Sequence, residues 1–279
     1  MINRLKSVYI SVFSGAAAIL MLIAGWQLAQ AGTLASPWLG ALLAGGAPSA
    51  FFGWVFLSGA ERTRPRLWPL HGATALGTLL AFGFGGGWPA WLAGLIGLAG
   101  GLVYDFWYSR NDDRDASVLA PDRILPAFSL EAPDGTAVAS SDLLAQPTIW
   151  LFYRGNWCPF CMAQVKEIAA QYRELTARGA QVVLVSPQPE AQTRALAAKF
   201  DVPMRFLIDR DNQAARTLRI DAAHGLPAGM QLLGYASDVP LPTVFITAAG
   251  GRILYADLAD NYRIRPEPDA FLQVLERAG

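Results

Sequence analysis

Residues 148–162 read TIWLFYRGNWCPFCM. The run TIWLFY at 148–153 is continuously apolar, the mark of a strand buried on both faces. A short break at Arg154–Asn156 follows, and Pro159 then stands at the first position of a helix running to Arg178. Along that helix Val165, Ile168, Ala169, Tyr172 and Leu175 recur at the 3.6 period and define a core face. Lys166, Glu167, Arg173 and Glu174 lie opposite. Cys161 falls one turn before Val165 and belongs to the core face, whereas Cys158 sits at the helix start and is expected to be open there.

A thiol at a helix N-terminus meets unpaired N–H groups and the positive end of the dipole, which lower its pKa. A partner three residues on can reach back and close a disulfide. The same spacing also fits half of a metal site, or two inert core residues. The chain has 2 cysteines and 2 histidines, His71 and His224, so a closed four-ligand zinc site would use all of them. The placement favours a redox pair, and no cofactor or metal is expected. His224 lies in a loop and receives no role.

Outward from this stretch, strand and helix patterns alternate. AFSLEA and TAVAS flank the PDG turn at 133–135 as a hairpin, and QVVLVS at 181–186 is a second buried strand. A helix over 189–200, a short strand over 204–209 and a short helix beginning at Asn212 come next. TVFIT at 243–247 and RILYAD at 252–257 form an antiparallel pair around AAGG, and an amphipathic helix over 268–278 ends the series. This order predicts a three-layer α/β sandwich.

Ahead of it the composition changes. Overall the 279 residues are 53% hydrophobic and 16% charged, with zero formal net charge, so no sequence-wide attraction to nucleic acid is implied. Before Tyr108 the charged residues are Arg4, Lys6, Glu61, Arg62, Arg64, Arg66 and Asp105. Four apolar runs, 9–31, 37–58, 67–84 and 89–107, fit the roughly 20 residues needed to cross a bilayer. The third is the weakest, because His71 and several glycines dilute it. A membrane region over 1–108, a charged linker over 109–123 and a water-soluble domain over 124–279 are therefore expected.

The first run exceeds the usual length of a signal-peptide core and reads as a retained anchor. Arg4 and Lys6 at the N-terminus and Arg62, Arg64 and Arg66 in the second loop predict a multi-pass cell-membrane protein with its soluble domain in the cytoplasm, or outside if the weak third run does not cross. His71 and Asp105 read as interface residues, and the Gly97–Gly101 spacing as composition rather than a dimer face.

WCPFC between a buried strand and a long helix, with Pro242-Thr243 opening a later strand, resembles the thioredoxin superfamily. The upstream LPAFSLEAPDGTAVASSDLL and TIWLFYRGNWCPFC are similar to its peroxiredoxin-like branch, the alkyl hydroperoxide reductase/thiol-specific antioxidant (redoxin) family. The resemblance covers residues 120–279 and implies a thioredoxin-like three-layer sandwich with a mixed sheet. It implies Cys158 as attacking and Cys161 as resolving cysteine, Trp157 as the preceding aromatic and Pro242, before Thr243, as a cis-proline that helps hold substrate. Against thioredoxins, the buried acid six residues before the first cysteine is replaced by Phe152. Against peroxiredoxins, Cys161 aligns with the peroxidatic cysteine, Cys158 replaces a threonine and Arg154 a proline, while their active-site arginine falls at Leu241. Arg154 reads as a solvated strand-end arginine, with replacement of that lost charge as the alternative; Trp157 reads equally as a lid or as ordinary packing.

The expected function is a membrane-anchored thiol–disulfide oxidoreductase cycling the CPFC pair. The alternatives are a thiol peroxidase acting on hydroperoxides, or a non-enzymatic redox sensor. The implied partners are the lipid bilayer, a protein disulfide or hydroperoxide, and a reductant such as a thioredoxin or small thiol.

Overall fold

In the computed structural model every residue is described except 112, 113 and 279; the Asp112–Asp113 part of the expected linker therefore lies outside the described residues. The chain divides into two compact units. One comprises Met1–Ala60 with Arg64–Arg110, the other Glu61–Thr63 with Asn111–Gly279.

The first unit is helical: α1 Ile2–Ala31, α2 Pro37–Ser58, α3 Trp68–Gly83 and α4 Gly87–Tyr108. Ser36 caps α2 and Pro37 opens it, while Gly32 and Gly59 end α1 and α2 in left-handed conformation. Among the described residues, α1, α2 and α4 are long and apolar enough to cross a membrane. The expected third span is a 16-residue helix; at the usual rise it is about 24 Å long, short of a ~30 Å hydrocarbon core.

Small residues decide the helix packing. A Cβ on Gly40 would lie 2.2 Å from the carbonyl oxygen of Gly77, and one on Gly77 2.7 Å from the backbone nitrogen of Ala44. Gly97 packs on Ala44 within the chain, whereas a Cβ on Gly101 would reach no closer than 4.0 Å, to Leu70. Close backbone approach of this kind replaces the hydrophobic drive that helices lack in lipid. His71 and Asp105 differ from expectation: both are buried, and His71 Nε2 lies 2.8 Å from Asp105 Oδ2. Hydropathy weighs one side chain at a time and does not register a pair.

The second unit has the thioredoxin-like arrangement. Its strands are β1 Ser129–Glu131, β2 Ala137–Ala139, β3 Thr148–Phe152, β4 Gln181–Ser186, β5 Arg205–Ile208, β6 Asp221–Ala222, β7 Val239–Pro240, β8 Thr243–Thr247 and β9 Ile253–Asp257. Seven of them form a mixed sheet in the order β2-β1-β5-β4-β3-β8-β9. β3 pairs parallel with β4 and antiparallel with β8, so Phe152 stands opposite both Val185 and Thr243. All five residues of β3 are buried, as the unbroken apolar run requires.

Alternation sorts the two faces. Trp150, Phe152, Val183, Val185, Leu207 and Phe245 share one core with the short helix Gln213–Thr217. The opposite face carries the cysteine helix α5 Pro159–Ala170 with its continuation α6 Tyr172–Ala177, then α7 Glu190–Ala197 and, after the Gln213–Thr217 helix (α8), the last helix α9 Pro268–Ala278. Phe206 stacks there on Phe200, and Tyr255 meets Phe271.

Gly40→Ala is expected to destabilise the full chain in detergent by about 1–3 kcal/mol through overpacking, although alanine is the better helix former. Gly15→Ala, with open space around the new methyl group, is expected to be neutral or stabilising. Thermal unfolding of the two variants side by side checks the contrast.

Candidate active site

Strand β3 delivers the chain to a short loop, Arg154–Trp157, before α5 begins. The loop is pinned from several directions. Asn156 N–H donates to Gln188 Oε1 at 2.8 Å, its Nδ2 donates to Gln192 Oε1 at 3.0 Å, and Tyr235 O–H donates to Asn156 Oδ1 at 2.5 Å. Gly155 has φ +146, and a Cβ there would lie 2.5 Å from Trp157 Nε1, so the indole folds back over the glycine. Trp157 also packs against Leu226 and Val239.

Cys158 is the N-cap of α5, accepting from Cys161 N–H at 3.4 Å. It is only 2% exposed and Cys161 only 1%. The open Cys158 expected from periodicity is thus corrected: the helix period says which face is buried but not what covers the helix end. Both cysteines are free thiols, with sulfurs sharing a hydrogen bond at 2.6 Å.

The two thiols are electrostatically unequal. Burial pushes Cys158 well above the usual thiol range, its hydrogen bond to Cys161 and the charge there add to this, and Arg265 and Arg154 oppose it. Burial also acts to raise Cys161. The hydrogen bond from Cys158, the Arg265 charge, the Arg154 backbone N–H and the Arg154 charge together outweigh it, so Cys161 titrates below an ordinary thiol. Arg265 Nη2 lies 3.9 Å from Cys161 Sγ. The surroundings thus favour the thiolate at Cys161, inside the first helical turn, over the capping Cys158.

Arg154, expected as a solvated strand-end arginine, is half-buried. It donates to the Gly225 carbonyl, and its guanidinium lies 4.8 Å from the Trp157 ring centre and 5.9 Å from that of Tyr262. The peptide bond before Pro242 is trans, which corrects the cis-proline implied by the resemblance. Pro242 instead offers its carbonyl to Arg114 Nη1 at 3.1 Å; Thr243 Oγ1 accepts from Arg114 Nη2 and donates to Leu241 O at 2.8 Å. Burial brings Arg114 down to about 10, with Asp257 opposing and Arg265 reinforcing the shift.

Three members escaped the sequence reading. Arg265 and Arg114 come from turn-rich segments with no periodic signal. Tyr153 closes the apolar run, and its wholly buried hydroxyl accepts from Gln188 Nε2 at 3.1 Å. Gln164, one turn past Cys161, and Arg265 line a narrow crevice with Pro242, Thr243 and Tyr262. No cluster of three or more His, Cys, Asp or Glu side chains suited to a metal occurs among the described residues.

Residues 121–256 match the AhpC/TSA family. The chain is 29% identical over 91 residues to the chloroplastic peroxiredoxin Q of Triticum aestivum, covering 33% of this chain and 42% of that protein. It is 27% identical over 97 residues to the peroxiredoxin Q of Populus jackii, covering 35% and 46%. The chain thus spans less than half the length of these curated relatives. Among solved structures, the peroxidoxin BcpB of Mycobacterium tuberculosis aligns with a TM-score of 0.47 at 20% identity, over 57% of this chain and 97% of that one.

Replacing Arg265 by methionine removes the nearest positive charge and is expected to move the alkylation profile of Cys161 up by about 1–2 pH units. Cys161 in the unaltered chain should react at pH 7 well ahead of Cys158. Site-resolved alkylation rates measured by mass spectrometry across pH check both statements.

Proposed function

We propose that the chain, whose residues 121–256 match the AhpC/TSA family, is a membrane-anchored thiol peroxidase in which Cys161 attacks a hydroperoxide and Cys158 resolves the product. The observation that carries this reading is the inequality of the two thiols, with Cys161 ionised beside Arg265 and Cys158 holding its proton.

In the first step the Cys161 thiolate attacks one peroxide oxygen and the O–O bond breaks. The alkoxide leaves and takes a proton from solvent to become the alcohol, and Cys161 becomes a sulfenic acid. Arg265 Nε is buried without a hydrogen-bond partner, which supports a role as donor to the oxygen that gains negative charge. In the second step Cys158 attacks the sulfenic sulfur, the S–S bond forms, the S–O bond breaks and water leaves. A thiol reductant then supplies two electrons and two protons to restore the dithiol.

The order of events follows from electrostatics. While Cys161 is a thiolate, its charge and hydrogen bond hold the proton on Cys158. Oxidation of Cys161 removes that charge, leaving burial, the largest cause, to oppose the Cys158 thiolate against the favourable charges of Arg265 and Arg154.

Disulfide exchange with a protein client is the second reading, favoured by the CPFC spacing and the contact between the sulfurs. Burial of both sulfurs weighs against it, since a folded client must bring its own disulfide to the attacking atom. A small hydroperoxide has no such need. Arg and Lys in the N-terminal segment and second loop support placing both of those segments in the cytoplasm; the C-terminal domain shares that side if α3 also crosses and lies outside if only α1, α2 and α4 do, and a C-terminal reporter fusion separates the two.

Purified full chain supplied with hydroperoxide and a thiol reductant tests the chemistry. Cys161→Ser is expected to abolish peroxide consumption. Cys158→Ser should keep one rapid turnover and accumulate a sulfenic acid that a dimedone-type trap captures. The opposite pattern, with the first turnover lost in Cys158→Ser and retained in Cys161→Ser, would return the attacking role to Cys158 and sink the proposal.

A further inference from the structure

The helical unit contains a buried ionisable pair that the thiol chemistry does not use. His71 lies on α3, 6% exposed, and Asp105 on α4, 0% exposed. Asp105 Oδ2 accepts the Leu67 backbone N–H at 2.9 Å and lies 2.8 Å from His71 Nε2. An oxygen already accepting one N–H is an acceptor for the second contact too, so the proton of the pair sits on Nε2. With Nε2 as the donor, Nδ1 of a neutral ring is the acceptor. Nδ1 is buried and has no hydrogen-bond partner. Buried polar atoms without partners are rare enough to require an explanation.

The surroundings restrict what the partner is. Asp105 lies in a π-helical turn, Tyr104–Tyr108, the kind of local widening that recurs at functional positions. It belongs to a helix long and apolar enough to cross a membrane, where ionisable residues mark functional sites. The His71 ring stacks on Phe106 with centres 5.7 Å apart and meets the Trp68 edge at 5.9 Å. Those two rings are themselves 41% and 65% exposed on the surface of the unit. A group reaching Nδ1 past them must be soluble in hydrocarbon, flat enough to lie against aromatic rings and able to donate an O–H.

We propose that His71, held by Asp105, is the acceptor of a site for a lipid-soluble hydroquinone headgroup, with the exposed Trp68 ring as its stacking wall; Phe106 is already covered by His71 and by the Arg66 guanidinium 4.5 Å from its ring centre. Asp105 is the positioning residue, fixing the tautomer, and Nδ1 takes the hydrogen bond from a ring hydroxyl. The proposal concerns binding and stands independently of the thiol peroxidase reading.

The test uses full chain in detergent and a short-tailed benzohydroquinone, with binding followed by quenching of tryptophan fluorescence. Saturable binding is expected. The dimethyl ether of the same ring, which has no O–H, should bind about tenfold more weakly, the effect of leaving one buried acceptor unmade. A long-chain alcohol, which has the O–H but no ring, should also bind at least tenfold more weakly. His71→Phe is expected to reduce hydroquinone affinity by a similar factor. The ligand comparison on unaltered protein keeps the test decisive should that variant unfold. Absence of saturable binding, equal affinity for hydroquinone and its dimethyl ether, or equal affinity for the alcohol overturns the proposal, as does full affinity in folded His71→Phe.

Discussion

The double pairing of β3 is the constraint on which the C-terminal unit depends. Its five residues have parallel neighbours on one edge, antiparallel neighbours on the other and side chains buried on both faces. A strand so enclosed has no freedom of register, because a slip by one residue would exchange Trp150 and Phe152 for Ile149 and Leu151 against the wrong layer. Its last residue therefore fixes where the loop Arg154–Trp157 begins and where α5 starts. Through the Phe152–Thr243 pairing it also fixes where Pro242 and Thr243 lie, next to the Arg114 guanidinium. The thiols inherit their positions from backbone hydrogen bonds rather than from their own contacts.

Charge burial is the second organising effect. A thiolate taken out of water is costly, and the site offsets this with guanidinium groups rather than with solvent. Arg265 stands beside Cys161 and Arg154 acts on both sulfurs, while Trp157 and Tyr262 cover the Arg154 face. Arginine suits this duty because it stays charged when buried and its planar head lies against aromatic rings. Proton location within the pair then follows from which sulfur the arginines and the Arg154 N–H serve best.

Much of this fold is legible in local pattern. QVVLVS, TVFIT and the amphipathic segment 268–278 become β4, β8 and α9 within a residue, because each carries a period that tertiary packing reinforces. The candidate site is legible only in part. CPFC is visible as a spacing, but the partner that separates its two thiols, Arg265, is 104 residues away from Cys161 in a segment without periodicity. The loop before Cys158 is fixed by tertiary contacts, Trp157 against Leu226 and Val239 and Tyr235 on Asn156, which helix phase does not encode. His71 and Asp105, 34 residues apart, likewise lose their meaning when each is weighed alone.

Both sulfurs occupy a single helical turn inside the protein, so joining them asks little of the backbone. If the backbone does not move on joining them, reduced and oxidised forms present nearly the same outline to a partner. What differs between them is potential: the disulfide carries no charge, and the positive heads of Arg154 and Arg265, with Arg114 near Arg265, lose the anion that balanced them. A protein or small molecule that tells the two forms apart has to read that uncovered positive field rather than a change of shape, and added salt would blunt its discrimination wherever the field reaches solvent.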